Sequence, residues 1–213
     1  MKPNFYPTLK TLIATCFCLP ILFATADTPE PLSTPELISA LQSGGHIIYM
    51  RHGETDVTQK DDHLETFKDC ANQRNLTDEG REKLKSIGST IQKLEIPIGK
   101  VLSSPYCRTK ESAELTFGEF TVESNLQFSI SKNKEEAARL GKQLYLMMLN
   151  SEVNTDNQVF VGHTANLKDG LDVWPKPEGV VAIFKKHDGE LVFKGMIKPD
   201  EWKKSLEIQL SEK

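Results

Sequence analysis

Short apolar runs alternate with amphipathic stretches along this chain, the pattern of an α/β protein. His46 to Met50 is apolar, bounded by Gly44-Gly45 before it and Gly53 after it, and reads as a buried parallel strand. Residues 100–104 and 158–161 have the same character. Helical patterns lie around them. Leu37, Ile38 and Leu41 share one face of a helix that Thr34 caps, with Pro35 in its first turn, ending near Gln42. Leu84, Ile87, Ile91 and Leu94 recur at helical spacing over 78–93, behind a Thr77 cap. Ser104-Pro105 opens a helix to about Phe117. Asn133 caps another over 134–149, with Ala137, Leu140, Leu144 and Met148 inward. One more strand is expected at Phe120 to Val122 or at Leu126 to Ile130. Val180 to Lys185 and Leu191 to Lys194 read as a hairpin about Asp188-Gly189, and Trp202 with the charged tail packs or frays. Residues 55–76 are polar and aperiodic and follow directly on the first strand, so they read as a lid or substrate-facing loop. The expected fold is α/β: a single-domain three-layer α/β/α sandwich with a mostly parallel central sheet. No internal repeat or dividing linker interrupts it.

Chemistry gathers where three strands end. In open α/β sheets the ligand crevice lies beyond the carboxyl ends of the strands. The first strand runs into Arg51-His52-Gly53-Glu54-Thr55, the second into Ser104-Pro105-Tyr106-Cys107-Arg108, the third into Gly162-His163-Thr164. Two arginines and two histidines arriving together make a phosphate-sized cationic pocket. Arginine suits a phosphate because its planar fork is bidentate and permanently charged. Neighbouring strand residues point to opposite faces, so Gly53 is expected to supply the bend that lets Arg51 and His52 converge. The Asp61-Asp62-His63 cluster matches no metal-ligand spacing, and no metal or cofactor is expected.

The three motifs, in this order, resemble the histidine phosphatase superfamily, which includes the cofactor-dependent phosphoglycerate mutases. The resemblance runs over about residues 46–185 and rests on Arg51-His52-Gly53, the Ser104-Pro105-x-x-Arg108 run and Gly162-His163. It implies a phosphoric monoester hydrolase acting on a small-molecule phosphomonoester. His52 would attack phosphorus and become phosphohistidine, Arg51 and Arg108 would hold the equatorial oxygens, and His163 would donate to one of them. Thr55 and Thr164 are the expected substrate-binding positions. Many family members carry a glutamate near the position of Leu126-Gln127-Phe128, where this chain has none, and Thr58 stands where the mutases usually show asparagine. The general acid therefore stays open among Glu123, Asp56 and Asp62. A phosphohistidine or phosphoprotein phosphatase, and a non-catalytic phosphate-binding member, are the alternatives.

The first 26 residues change the setting. Lys2 and Lys10, an apolar run from Thr11 to Thr25 broken by Pro20, and Ala24-Thr25-Ala26 have the form of a secretory signal peptide. The expected product is a periplasmic or secreted domain over residues 27–213, without stable membrane insertion. Its 24 basic and 30 acidic side chains give a net charge of −6, which argues against nucleic acid as partner. Cleavage leaves Cys70 and Cys107 as the remaining cysteines, and an oxidising compartment favours their pairing as a disulfide. Two separate thiols remain the other reading, because sequence does not fix the distance between them. Oligomeric state has no signal in the sequence.

Overall fold

The structure, a computed structural model, describes residues 30–62, 64, 66–130 and 132–211. The signal peptide expected over 1–26 and His63 of the acidic cluster lie outside them. The first helix, α1 (Thr34–Gln42), is capped by Ser33 rather than Thr34. The reason is Glu36, whose carboxylate accepts the Ser33 backbone N–H at 2.8 Å and its hydroxyl at 2.6 Å. Gly44 and Gly45, both at positive φ, turn the chain into β1 (Ile47–Arg51). The long loop then leads to α2 (Asp78–Lys93), where Thr77 Oγ1 accepts the Gly80 N–H at 2.9 Å. There follow β2 (Ile98–Ser103), α3 (Cys107–Phe117), β3 (Thr121–Val122) and a 3₁₀ turn at Ser124–Leu126. The strand expected in this region is thus the earlier of the two choices. The chain closes with α4 (Lys134–Leu149), β4 (Asn157–Gly162), α5 (Thr164–Leu171), β5 (Val181–His187), β6 (Glu190–Ile197) and α6 (Pro199–Ser211).

The six strands form one sheet in the order β3-β2-β4-β1-β5-β6. β1, β4, β2 and β3 pair in parallel, while β5 is antiparallel to both β1 and β6. Alternate residues of the strands face two separate cores. Ile48, Met50, Val159, Val161, Val181 and Ile183 pack under α1, α2 and α6, where Trp202 is buried. The tail from Pro199 is therefore a packed helix. Ile47, Tyr49, Phe160, Ala182 and Phe184 pack under α4 and α5 against Leu144, Met148 and Leu167. This is the three-layer sandwich expected. Ala137 is the inward position that fails: it is half-buried and lines a cavity instead of the core.

Two arrangements set up the strand ends. Because β1, β2 and β4 are parallel, Arg51, Ser104 and His163 emerge at one edge of the sheet. Because β5 is antiparallel to β1, its beginning comes to that same edge, with the Gly179 N–H donating to the His52 carbonyl at 2.8 Å. Residues 55–76 fold back on themselves: Thr55 bridges to Leu76, and the Asp56 and Asp62 N–H groups donate to the carbonyls of Asn75 and Asn72. A Cys70–Cys107 disulfide, with Cα atoms 5.7 Å apart, fastens the loop to the start of α3. Among the described residues no helix is long and apolar enough to cross a membrane, and no group of His, Cys, Asp and Glu is placed to hold a metal ion.

Candidate active site

His52 is held by its backbone before its side chain is considered. Its N–H donates to Gly162 O at 3.1 Å on β4, and its carbonyl is taken by Gly179. The imidazole is buried, and Nδ1–H donates to the carbonyl of Gly53 at 2.9 Å. In a neutral ring this leaves Nε2 as the free lone pair. Burial, then the charge of Arg108, hold the His52 pKa well below the usual histidine range, with Arg51 and Arg74 adding to the effect. The expected role of Gly53 is corrected here: its φ lies outside the left-handed region. Its missing side chain instead makes room for Leu84 of α2, since a Cβ would stand 2.6 Å from Leu84 Cδ1 and force that side chain to shift. Its N–H donates to Ser112 Oγ at 2.9 Å, and that hydroxyl donates to Arg108 O at 2.6 Å, so the first motif is bolted to α3.

The second motif divides between strand and helix. Ser104 does not begin α3, as the sequence suggested; Tyr106 is the N-cap. Ser104 N–H instead donates to Val161 O at 2.9 Å, prolonging the pairing of β2 with β4. This leaves Ser104 Oγ 2.9 Å from His163 Nε2. Arg108 stands in the first turn of α3 and is almost fully buried. Its guanidinium lies over the Tyr106 ring at 4.5 Å and the Phe128 ring at 5.7 Å, and Nη1 donates to Asp61 Oδ1 at 2.8 Å.

His163 occupies the N-cap of α5 and is clamped by Tyr49, whose hydroxyl donates to His163 O at 2.8 Å and accepts from His163 N at 2.9 Å. Gly162 makes room for that hydroxyl, since a Cβ there would stand 2.3 Å from it. The His163 ring meets His52 edge-on with centroids 5.4 Å apart. Burial, then Arg108, push its pKa well below the usual range, and Nδ1 is buried without a hydrogen-bond partner.

Three residues that sequence reasoning did not assign complete the site. Arg74, from the far end of the 55–76 loop, and Arg51 both donate through Nη2 to Glu178 Oε1 at 2.9 Å. Glu178 also accepts the Thr55 N–H at 2.9 Å and the Thr55 hydroxyl at 3.0 Å. Thr55 is thus a buried anchor for Glu178, whereas Thr164 lines the cavity. Asp61 accepts from Arg108 and, at 3.0 Å, from the Arg74 backbone N–H. The signals available were slight: Arg74 and Asp61 lay among many polar loop residues, and Glu178 gained its place only through the antiparallel β5. Of the acids considered as proton donors, none lines the cavity: Glu123 caps the 3₁₀ turn at Asn125, Asp56 accepts from Thr58 and Gln59, and Asp62 is tied through its N–H to Asn72 O.

Arg51, His52, Arg74 and Arg108 line a cavity of about 550 Å³. Arg51 Nε, Arg74 Nε and His163 Nδ1 are all buried without partners. Buried donors are normally satisfied, so three unmatched nitrogens, two of them on the arginines lining this cavity, mark a site for an anion rich in acceptor oxygens. A neutral imidazole with a free Nε2 stands among them.

The model of the histidine phosphatase superfamily (branch 1) matches residues 47–128. No curated protein matches the chain by sequence. Among solved structures, the protein histidine phosphatase SixA complexed with tungstate is 16% identical, with a TM-score of 0.50, covering 73% of this chain and 98% of that one. A phosphoserine phosphatase mutant from Entamoeba histolytica, in complex with phosphoserine, is 16% identical with a TM-score of 0.53, covering 72% and 97%. The alpha-ribazole phosphatase from Shigella flexneri is 11% identical with a TM-score of 0.53, covering 72% and 96%. At these identities the likeness is one of fold. The three ordered motifs, the family match over residues 47–128 and this shared fold make the chain similar to the histidine phosphatase superfamily.

Proposed function

We propose that this chain is an exported phosphatase that hydrolyses a small-molecule phosphomonoester through a phosphohistidine on His52. The observation that carries the reading is the free Nε2 of a neutral His52 beside the unpartnered donors of Arg51, Arg74 and His163. A phosphate dianion would exchange water for these donors and for Arg108. Nε2 would attack phosphorus in line with the leaving oxygen, and charge on the equatorial oxygens would be held through the transition state. Hydrolysis of the P–N bond by water would return His52. In the tautomer where Ser104 Oγ–H donates to His163 Nε2, the proton of neutral His163 would sit on the unpartnered Nδ1 and could be given to a phosphate oxygen. The pattern of residues 1–26 and the Cys70–Cys107 disulfide support an oxidising compartment outside the cytoplasm.

One observation favours a second reading, a phosphatase for phosphoramidates such as phosphohistidine. The segment near 126 presents Phe128 to the cavity in place of an acid, and Asp61, Asp169 and Glu178 each accept from neighbouring donors. A substrate whose leaving group needs little help from a protein acid suits that arrangement. The test is turnover of p-nitrophenyl phosphate and of a phosphoramidate by the purified protein, with trapping of the intermediate. His52→Ala should abolish both activities while leaving the circular dichroism unchanged. Acid-labile phosphoryl label on His163 or His187, with none on His52, would overturn the assignment; binding of phosphate without turnover would favour a non-catalytic member.

A further inference from the structure

The cavity of about 550 Å³ extends beyond Arg51, His52, Arg74 and Arg108, and its remaining walls are of a particular kind. Seven cationic and three acidic side chains line it, in a chain whose net charge is −4. The acids are already engaged: Asp61 with Arg108, Glu178 with Arg51 and Arg74, Asp169 as acceptor from Ser129 Oγ. Lys168 pairs with Asp172. Among the described residues this leaves Lys132, Lys134 and Lys176 on the cavity wall outside any ion pair, with Glu136 acting on Lys132 only at longer range. Lys134 is the first residue of α4, where the helix dipole disfavours a cation, so it stands against local preference. Apolar surface lies among these charges: Ile130 is 71% exposed and Trp174 50% exposed, with Lys176 Nζ 4.9 Å from the Trp174 ring centroid. Exposed aromatic and aliphatic groups in a cavity wall are the usual means of holding the body of a ligand.

Resting on the phosphatase reading above, we propose that Lys132, Lys134 and Lys176 form a second anion subsite, and that the substrate class is a phosphomonoester whose organic body carries another negative group. The phosphoryl end meets the arginines and His52. The body lies along Trp174 and Ile130, and its second anion, a carboxylate or another phosphate, meets the lysines. The charged rim would also draw such a substrate in faster at low ionic strength.

Binding of non-hydrolysable ω-phosphonocarboxylates tests this independently of turnover. A series with two to six methylenes, each beside its own neutral carboxamide, is titrated by calorimetry at low and high salt. At one chain length or more the carboxylate should bind at least about fivefold tighter than the amide at low salt, and the gap should narrow as salt rises. The triple variant Lys132→Ala/Lys134→Ala/Lys176→Ala should lose the gap yet bind methylphosphonate as the wild type does. Equal binding of carboxylate and amide at every length would overturn the subsite while leaving the phosphatase reading intact. Absence of turnover with the gap present would overturn the phosphatase reading alone. If the triple variant fails to fold, the single substitutions, each narrowing the gap in part, serve the same purpose, and three unchanged gaps would overturn the proposal.

Discussion

Arg51 Nη2 donates to Glu178 Oε1 at 2.9 Å across 127 residues of sequence. The same oxygen takes Arg74 Nη2, and Thr55 holds the carboxylate through its backbone and its hydroxyl. Glu178 therefore turns two guanidinium groups so that their Nη2 atoms are occupied and their Nε–H groups are left without partners. Glu178→Ala should leave both arginines free to swing. A loss of roughly tenfold to a hundredfold in kcat/KM is expected from misplacement on this scale, with the fold retained. Steady-state kinetics with circular dichroism checks this. A faster variant would instead mean that Glu178 competes with the substrate for the arginines.

Arg108 tests the need for a planar donor. It is buried, stacked on Tyr106 and bonded to Asp61. Lysine keeps the charge but neither the fork nor the stacking. Arg108→Lys should cost at least about tenfold in kcat/KM, some 1.4 kcal/mol of transition-state stabilisation. Wild-type kinetics would remove Arg108 from the catalytic pocket.

The Cys70–Cys107 bond closes a loop that carries Arg74 and ends beside Arg108. Gln73 strengthens the junction, its Oε1 accepting the Cys107 N–H at 2.9 Å. For a closed loop of this length the chain-entropy model gives about 4 kcal/mol. The double variant Cys70→Ser/Cys107→Ser should melt at a clearly lower temperature, and its kcat/KM should fall as Arg74 and Arg108 lose their support. Differential scanning calorimetry and thiol titration in denaturant decide the matter. Two titratable thiols in protein taken from an oxidising compartment would reject the bond.

Stability should also depend on pH through the buried histidines. The folded-state pKa values of His52 and His163 are lowered, chiefly by burial and then by Arg108. The unfolded chain takes up protons as pH falls through about 6.5 while the folded chain does not. Their stabilising contribution is thus complete above that pH and is lost on acidification towards the lowered values, by up to about 1.4 kcal/mol per histidine for each pH unit. Melting temperatures between pH 7.5 and 5.5 should fall, and fall less in His52→Gln. Superimposable profiles would exclude His52 as a source.

Much of this protein is legible in one dimension. Ile47 to Met50 alternates between two cores, but both are apolar, so the run announces a strand buried on both faces. The Leu84-Ile87-Ile91 stripe, the Thr77 and Asn133 caps and the Asp188-Gly189 turn act over a few residues, and local physics is enough to find them. The residues at the strand ends, Arg51, His52, Arg108 and His163, could be read as one group because parallel strands deliver their carboxyl ends to one edge. Other features depend on contacts between distant segments. Gly53 looked like a hinge, yet its lack of a side chain answers to Leu84 on another element. Ser104 looked like the start of a helix and instead directly follows β2, held by Val161 and His163. Glu178 reaches the arginines because β5 runs antiparallel to β1, a pairing that only the assembled sheet decides. The sequence determined which residues could carry the chemistry; the tertiary structure decided which acids hold the arginines and which nitrogens remain unpaired, because burial and hydrogen-bond partnership are properties of neighbours in space.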